Sequence, residues 1–241
     1  VHGARDDSNI VSEATTYQLF DLAELAARLG SIVSYIRSGS VFSLETFERG
    51  LGGWTQAKSG ATSVIALTNE WMFSGPVGVV LTSGTEAAAH AHLLKRYPLP
   101  AAGKIALSTH FSLGTFGLGY DFFITYCDGT YYYWYWIQYN HDTGELALYN
   151  ETGGDAIFAT ITPLYDQPHN THAFKLVIDI AEGRYDKLYL DQQLFDLSGY
   201  LPYQDDAIYP AYLEAYLGVW GQVGWSTTMY LDNIVLTYNE D

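Results

Sequence analysis

An antiparallel all-β sandwich behind an N-terminal helical arm is the architecture this sequence predicts, and three observations predict it. From Val41 onward, runs rich in Val, Ile, Thr, Tyr, Phe and Trp are separated by clusters of Gly, Asp, Asn and Ser, the pattern of short strands joined by tight turns. Helical spacing of apolar residues is confined to one stretch ahead of Gly30. The chain has 241 residues, enough for about fourteen short strands, too many for one open twisted sheet, so two sheets must pack face to face.

Taken in order, Val1–Ile10 is polar and charged and reads as an extended arm. Leu19, Leu22, Ala23, Leu25, Ala26 and Leu29 then recur at helical spacing, with Thr16 at a plausible N-cap and Gly30 after the last turn. The spacing predicts a helix over residues 16–29, about four turns long and marginal alone. Its stripe of Leu19, Leu22, Leu25 and Leu29 must therefore dock, either on the following domain or on another subunit. The division is thus 1–40 for arm and helix and 41–241 for the sandwich. Strands are expected at residues 41–48, 63–68, 78–81, 89–97, 104–112, 120–127, 131–140, 145–149, 157–161, 172–180, 187–190, 193–196, 212–220 and 229–238. Cys127-Asp128-Gly129-Thr130, His141-Asp142-Thr143-Gly144 and Ala181-Glu182-Gly183 each supply a turn residue that tolerates positive φ.

Composition bounds the function classes. Hydrophobic residues make up 48% and charged ones 16% of the chain, which excludes a disordered polymer. The longest apolar stretches, such as Val77–Leu81, fall far short of the roughly 20 residues of a membrane-spanning helix, so no membrane insertion is expected. Eleven Lys and Arg against 27 Asp and Glu give a formal charge of −16, which repels phosphate backbones and anionic lipid, so nucleic acid is excluded as a partner. One cysteine, Cys127, allows neither an intrachain disulfide framework nor a multi-cysteine zinc site. No leader is read at Val1, which leaves the compartment open.

The aromatic share of 16% is the loudest signal, and it peaks in Tyr131-Tyr132-Tyr133-Trp134-Tyr135-Trp136-Ile137-Gln138-Tyr139. Strand alternation sends Tyr131, Tyr133, Tyr135, Ile137 and Tyr139 to one face and Tyr132, Trp134, Trp136 and Gln138 to the other. One face packs in the core. The other lies under a loop or is presented on the open surface, where aromatic rings with polar tips suit sugar stacking or a protein interface.

Three segments resemble the concanavalin A-like jelly roll shared by lectins, laminin G modules and laminarinase-type hydrolases: Leu44–Gly50 with Trp54, the hairpin His172–Asp179 and Arg184–Asp191, and Tyr230–Leu236. The arm followed by such a sandwich also resembles structural proteins of tailed-phage and metagenomic origin. The resemblance implies a structural calcium where the first and last strands meet, with Glu48 and Asp232 as its side-chain ligands; two carboxylates plus backbone and water oxygens would suffice at modest affinity. The alternative is that both merely hydrogen-bond strand ends.

No Gly-x-Ser-x-Gly, His-Glu-x-x-His or phosphate loop is present. Val177-Ile178-Asp179-Ile180-Ala181-Glu182 resembles the catalytic strand of laminarinase-type hydrolases, but Val177 stands where the nucleophilic Glu belongs, so the retaining pair is incomplete. Asp179 and Glu182 then read as a strand end and turn. His90 and His92 share a strand face without an evident third ligand, and the pair reads as surface. Asn150-Glu151-Thr152 matches a glycosylation acceptor. The expectation is a non-catalytic assembly protein, such as a virion surface, decoration or tail component, forming homo-oligomers or a larger shell, extracellular or on a virion surface. A secreted carbohydrate-binding module is the alternative, with Tyr132, Trp134, Trp136 and Gln138 as its glycan contacts, and a glycoside hydrolase comes last.

Overall fold

The computed structural model of the protein describes residues 39–99, 103–115, 119–167, 169–207 and 209–240. The expected arm at Val1–Ile10, the helix over 16–29 and its Leu19, Leu22, Leu25 and Leu29 lie outside these residues. In chain order the strands are β1 (Ser40–Glu45), β2 (Thr55–Ser59), β3 (Val64–Thr68), β4 (Gly78–Thr82), β5 (His90–Tyr97) and β6 (Lys104–Thr115). There follow β7 (Gly119–Cys127), β8 (Tyr131–Asn140), β9 (Glu145–Tyr149), β10 (Asp155–Thr160) and β11 (His172–Asp179). The last are β12 (Arg184–Leu190), β13 (Gln193–Asp196), β14 (Tyr203–Asp206), β15 (Tyr212–Trp220) and β16 (Thr228–Tyr238).

They form two antiparallel sheets of eight strands. The first runs β13-β12-β11-β6-β16-β4-β3, with β1 added beside β16, and the second runs β10-β9-β8-β7-β15-β5-β2, with β14 added beside β8. Period-2 alternation explains the packing. In β8, β7 and β15, Tyr135, Ile137, Tyr120, Phe122, Ile124, Leu213, Ala215 and Leu217 face inward and meet Leu107, Phe111, Leu176 and Leu188 of the first sheet in one core. The hairpins carry the turn chemistry expected of them: Gly129, Gly144 and Gly183 all have positive φ, and Asp128 Oδ1 accepts the N–H groups of Thr130 and Tyr131 at 2.7 and 2.8 Å.

Two strands have no counterpart in the sequence pattern. β2 (Thr-Gln-Ala-Lys-Ser) is an exposed edge strand, and β14 (Tyr-Gln-Asp-Asp) is a short acidic one. Neither alternates apolar with polar residues, because neither buries a face. Conversely, the outer face of the first sheet is covered where the 69–77 segment lies on it. Phe73 stacks on His110 with ring centroids 3.8 Å apart, and Asp232 Oδ2 accepts the N–H groups of Phe73 and Ser74 at 2.9 and 2.8 Å.

Candidate functional site

The outward face of the second sheet is the aromatic one. Tyr135, Ile137 and Tyr139 of β8 are buried, while Tyr132, Trp134, Trp136 and Gln138 are half-buried on the opposite side, the split that alternation predicts. Register then supplies their neighbours. Trp136 is opposite Phe123, Phe123 opposite Tyr216, and Tyr216 opposite Leu94. One row along, Trp134 is opposite Thr125, Thr125 opposite Glu214, and Glu214 opposite Arg96. On its other edge β8 pairs with β14, which sets Tyr203 against Trp134.

The rings form a continuous surface. Trp134 stacks near Tyr149 at 6.1 Å between centroids, Tyr149 lies 5.4 Å from Trp136 and 5.3 Å from Tyr203, and Phe123 meets Tyr216 edge-on at 5.1 Å. Among them opens a recess of about 310 Å³ lined by Phe123, Thr125, Trp134, Glu214, Tyr216 and Tyr212. Small Thr125 between large neighbours makes the depression. One core residue holds this face from below: the Tyr185 hydroxyl, reaching from the first sheet, accepts the Trp136 N–H at 2.9 Å and donates to the Tyr149 carbonyl at 2.9 Å. The two aromatic-bearing strands are thereby fixed at the point where the β8–β9 ladder ends.

Beyond the recess lies a polar cluster. Gly218 is opposite Asp121 on one side and His92 on the other. A methyl group on Gly218 would fall 2.1 Å from His92 Cδ2, so only glycine lets that imidazole lean across β15. His92 is 3% exposed and stacks on His90 at 4.3 Å. Burial, and then His90, depress its pKa to about 3, so it is neutral. The Tyr216 hydroxyl hydrogen-bonds His92 Nδ1, and burial raises the Tyr216 pKa, so the bond joins two neutral groups. Asp121, 1% exposed, accepts from the Trp220 indole N–H and from Gln138 Nε2. Burial nevertheless pushes its pKa up to about 7, against the opposing pull of these donors. Glu214 accepts from Arg96 Nε at 2.7 Å, and the Arg96 guanidinium lies over the Tyr212 ring at 4.4 Å. Sequence alone brings out Tyr132, Trp134, Trp136 and Gln138. Phe123, Tyr149, Tyr203, Tyr216, Asp121 and Glu214 join them through strand pairing. A charged Asp121 within the otherwise apolar Tyr120–Ile124 run is the one signal that marks any of these in advance.

The remaining expected residues fall elsewhere. Asp232 is buried at the β16 bulge, where Asn233 has φ 52 and its N–H bonds Asp232 Oδ1 at 2.8 Å. Burial pushes Asp232 up to about 6, its three backbone donors oppose this, and Glu48 adds to it. Glu48 is therefore an electrostatic neighbour of Asp232. Asp232 is, however, already held by the N–H groups of Phe73, Ser74 and Asn233, and Glu48 is exposed. Two carboxylates fall short of the roughly six to eight oxygens that calcium takes. No group of three or more His, Cys, Asp or Glu able to hold a metal occurs among the described residues.

Val177 lies on β11 in the first sheet, opposite Ala106, away from the aromatic face. Asp179 Oδ1 accepts the N–H groups of Ala181 and Glu182 at 3.1 Å each, the strand end and turn expected of it. Of the two histidines expected at the surface, His92 is buried, because Gly218 leaves it room, while His90 is half-buried, and the pair borders the aromatic face. Asn150 Oδ1 accepts from Thr152 N and Oγ1 in a tight Asx turn.

No family model matches the sequence, and no curated protein is similar to it at the sequence level. Solved structures are similar in fold. An endo-β-1,4-glucuronan lyase from the fungus Trichoderma reesei superposes with a TM-score of 0.58 at 11% identity, covering 83% of this chain and 96% of that one. The cellulose-induced protein Cip1 gives 0.53 at 17% identity over 81% and 96%. The potassium-bound carbohydrate recognition domain of Emp46p gives 0.50 at 11% over 82% and 93%. At these identities the likeness is one of fold, and the fold is the concanavalin A-like jelly-roll sandwich.

Proposed function

We propose that the protein binds a glycan chain along the aromatic face of the second sheet and does no chemistry on it. The observation that carries this reading is the unbroken run from Tyr203 through Tyr149, Trp134, Trp136 and Phe123 to Tyr216 around a recess of about 310 Å³. Flat, half-buried rings with hydroxyl and indole edges offer apolar faces to sugar rings and polar tips to their hydroxyls. Several neighbouring rings suit a chain better than a single residue.

A binding role rather than hydrolysis is supported by the placement of Asp121 and Glu214, two of the carboxylates on this face. Register puts Asp121 and Glu214 on adjacent strands four residues apart, which sets their α-carbons about 14 Å apart. Glycosidase carboxyl pairs converge on one bond with the carboxyl groups about 5 to 9.5 Å apart, whereas Asp121 is held by Trp220 and Gln138 and Glu214 by Arg96.

The test is affinity electrophoresis and calorimetry against a panel of polysaccharides, with Trp134→Ala and Trp136→Ala. Retention of the wild type, and a loss of about tenfold or more in each variant, is the expected result for aromatic anchors. Full affinity in both variants, or no retention of the wild type by any glycan, would reject the proposal. The alternative role as an assembly component rests on the leucine stripe of residues 16–29. Calcium shared by Glu48 and Asp232 is proposed as a structural ion of the strand seam, since Glu48 adds to the upward push on Asp232.

A further inference from the structure

The charge on the aromatic face carries its own information about substrate. Arg96 is the one Lys or Arg among the described residues whose strand position turns it onto this face, and it is already bound to Glu214 and stacked on Tyr212. Lys95 sits at the alternate position of β5, paired with Glu45, and Lys58 at the alternate position of edge strand β2, opposite Ala91. Lys104, Lys175, Arg184 and Lys187 belong to the first sheet, and Arg49 to the segment between β1 and β2. The described parts of the loops at the ends of β7, β8, β9, β14 and β15 contain no Lys or Arg. Carboxylates are placed differently: Glu214 lines the recess, Asp205 lies opposite Tyr132, and Asp121 is buried between Trp220 and Gln138. His92 adds no positive charge, being neutral and bonded to Tyr216.

Resting on the glycan-binding reading above, we infer that the face selects neutral glycans and rejects polyuronates, and that Glu214 is the residue that sets this selectivity. Glu214 does two things there. Its carboxylate accepts one bond from Arg96 Nε, which leaves further lone pairs to take hydroxyl protons from a sugar seated in the recess. It also neutralises Arg96, so among the described residues the carboxylate of a uronic acid would meet no unpaired Lys or Arg at a site that water only partly screens. A uronate-reading site needs the reverse, a guanidinium or ammonium free to pair with the substrate.

The experiment compares wild type, Glu214→Gln and Arg96→Gln in calorimetry at low ionic strength. The ligands are neutral oligosaccharides of glucose, mannose, xylose and galactose and, for each linkage that exists, its uronic-acid counterpart. Wild type should bind at least one neutral series and favour it over the acidic counterpart by about a hundredfold. Glu214→Gln should lose about tenfold for the neutral ligand, since a charge-assisted acceptor becomes an amide. It should also gain for the acidic one, because Arg96 is then unneutralised. Arg96→Gln should show no gain for acidic ligand. The ratio of the two affinities separates this role from a structural one, because a merely loosened fold weakens both ligands together. Wild type binding uronates as well as neutral chains, or a ratio unmoved by Glu214→Gln, would overturn the inference and leave glycan binding standing. Failure of every glycan to bind would instead remove the underlying reading, and this inference with it.

Discussion

Gly218→Ala gives a test in which the sign of the effect is informative. Replacing glycine in a strand ordinarily stabilises by about 0.4 to 1 kcal/mol, because the unfolded chain loses freedom, and Gly218 does not carry the positive φ that would reverse this. Here the added methyl would fall 2.1 Å from His92 Cδ2 and 2.9 Å from Cγ, whereas carbon atoms rest about 3.5 to 4 Å apart. His92 has nowhere to go: His90 stacks on it at 4.3 Å, Trp220 meets it at 4.8 Å, and Tyr216 bonds its Nδ1. Overpacking of this kind costs about 1 to 3 kcal/mol, and a broken Tyr216–His92 bond adds about 0.5 to 1.5. The net is destabilisation by about 1 to 4 kcal/mol, a fall in Tm of roughly 3 to 12 °C for a chain of this size. Thermal and urea unfolding measure it, and His92→Ala supplies the control. In that background Gly218→Ala should be neutral or stabilising, so the two substitutions should show a strong favourable coupling. A higher Tm for Gly218→Ala alone, or an equal cost in both backgrounds, would refute the argument that the imidazole requires this glycine.

Other expectations follow from the same structure. Asp121 has its folded pKa raised to about 7 from an unfolded value near 4, so the native state binds the extra proton and this site's contribution falls as pH rises from about 4 to 7. Asp121→Asn should therefore gain stability relative to wild type across that window and level off above it; a constant difference from pH 4 to 8 would contradict the raised carboxyl. His92, depressed to about 3, acts in the opposite sense: its contribution is lost as pH falls below about 6.5, and His92→Gln should flatten the acid limb of the unfolding profile. If Glu48 and Asp232 share calcium, millimolar calcium should raise Tm over a chelator, and Asp232→Asn should abolish the increment; an identical Tm in both would reject the site. A chain shortened to begin at Val41 should dissociate if the 16–29 stripe mediates assembly; an unchanged number of subunits by light scattering would assign that stripe to its own sandwich.

Much of the sandwich is legible in the sequence because burial on one face imprints period 2 on each strand. The Tyr131–Asn140 strand is bounded as its pattern implies, and its two faces divide as alternation requires. β2 and β14 are illegible for the converse reason, since an exposed edge strand is under no pressure to alternate. The site is less legible than the strand that dominates it. Tyr216 and His92 come beside Phe123 and Asp121 because β15 inserts between β7 and β5, pairing it with segments roughly 90 and 120 residues earlier that no local pattern encodes. The 177–182 segment is legible as a strand end and turn, with Asp179 accepting the N–H groups of Ala181 and Glu182, but local sequence does not say which of two sheets its strand will join.

The position of β16 has a consequence for how the protein is made. One edge of this strand pairs with β6, and the other is divided between β4 and β1, so that Ser40 pairs with Tyr238. The middle of the first sheet is therefore vacant until the final strand of the fold is synthesised, and during translation β1, β4 and β6 wait with unpaired edges. So large a separation between paired segments implies high contact order and slow closure, because loop entropy must be overcome before the contacts form. A nascent chain in that state presents bare strand edges for the whole interval, the situation in which misassociation with neighbouring chains competes with folding. Expression yield should thus respond more to slowed translation and to chaperones that hold unfolded chains than the thermal stability of the finished sandwich would suggest.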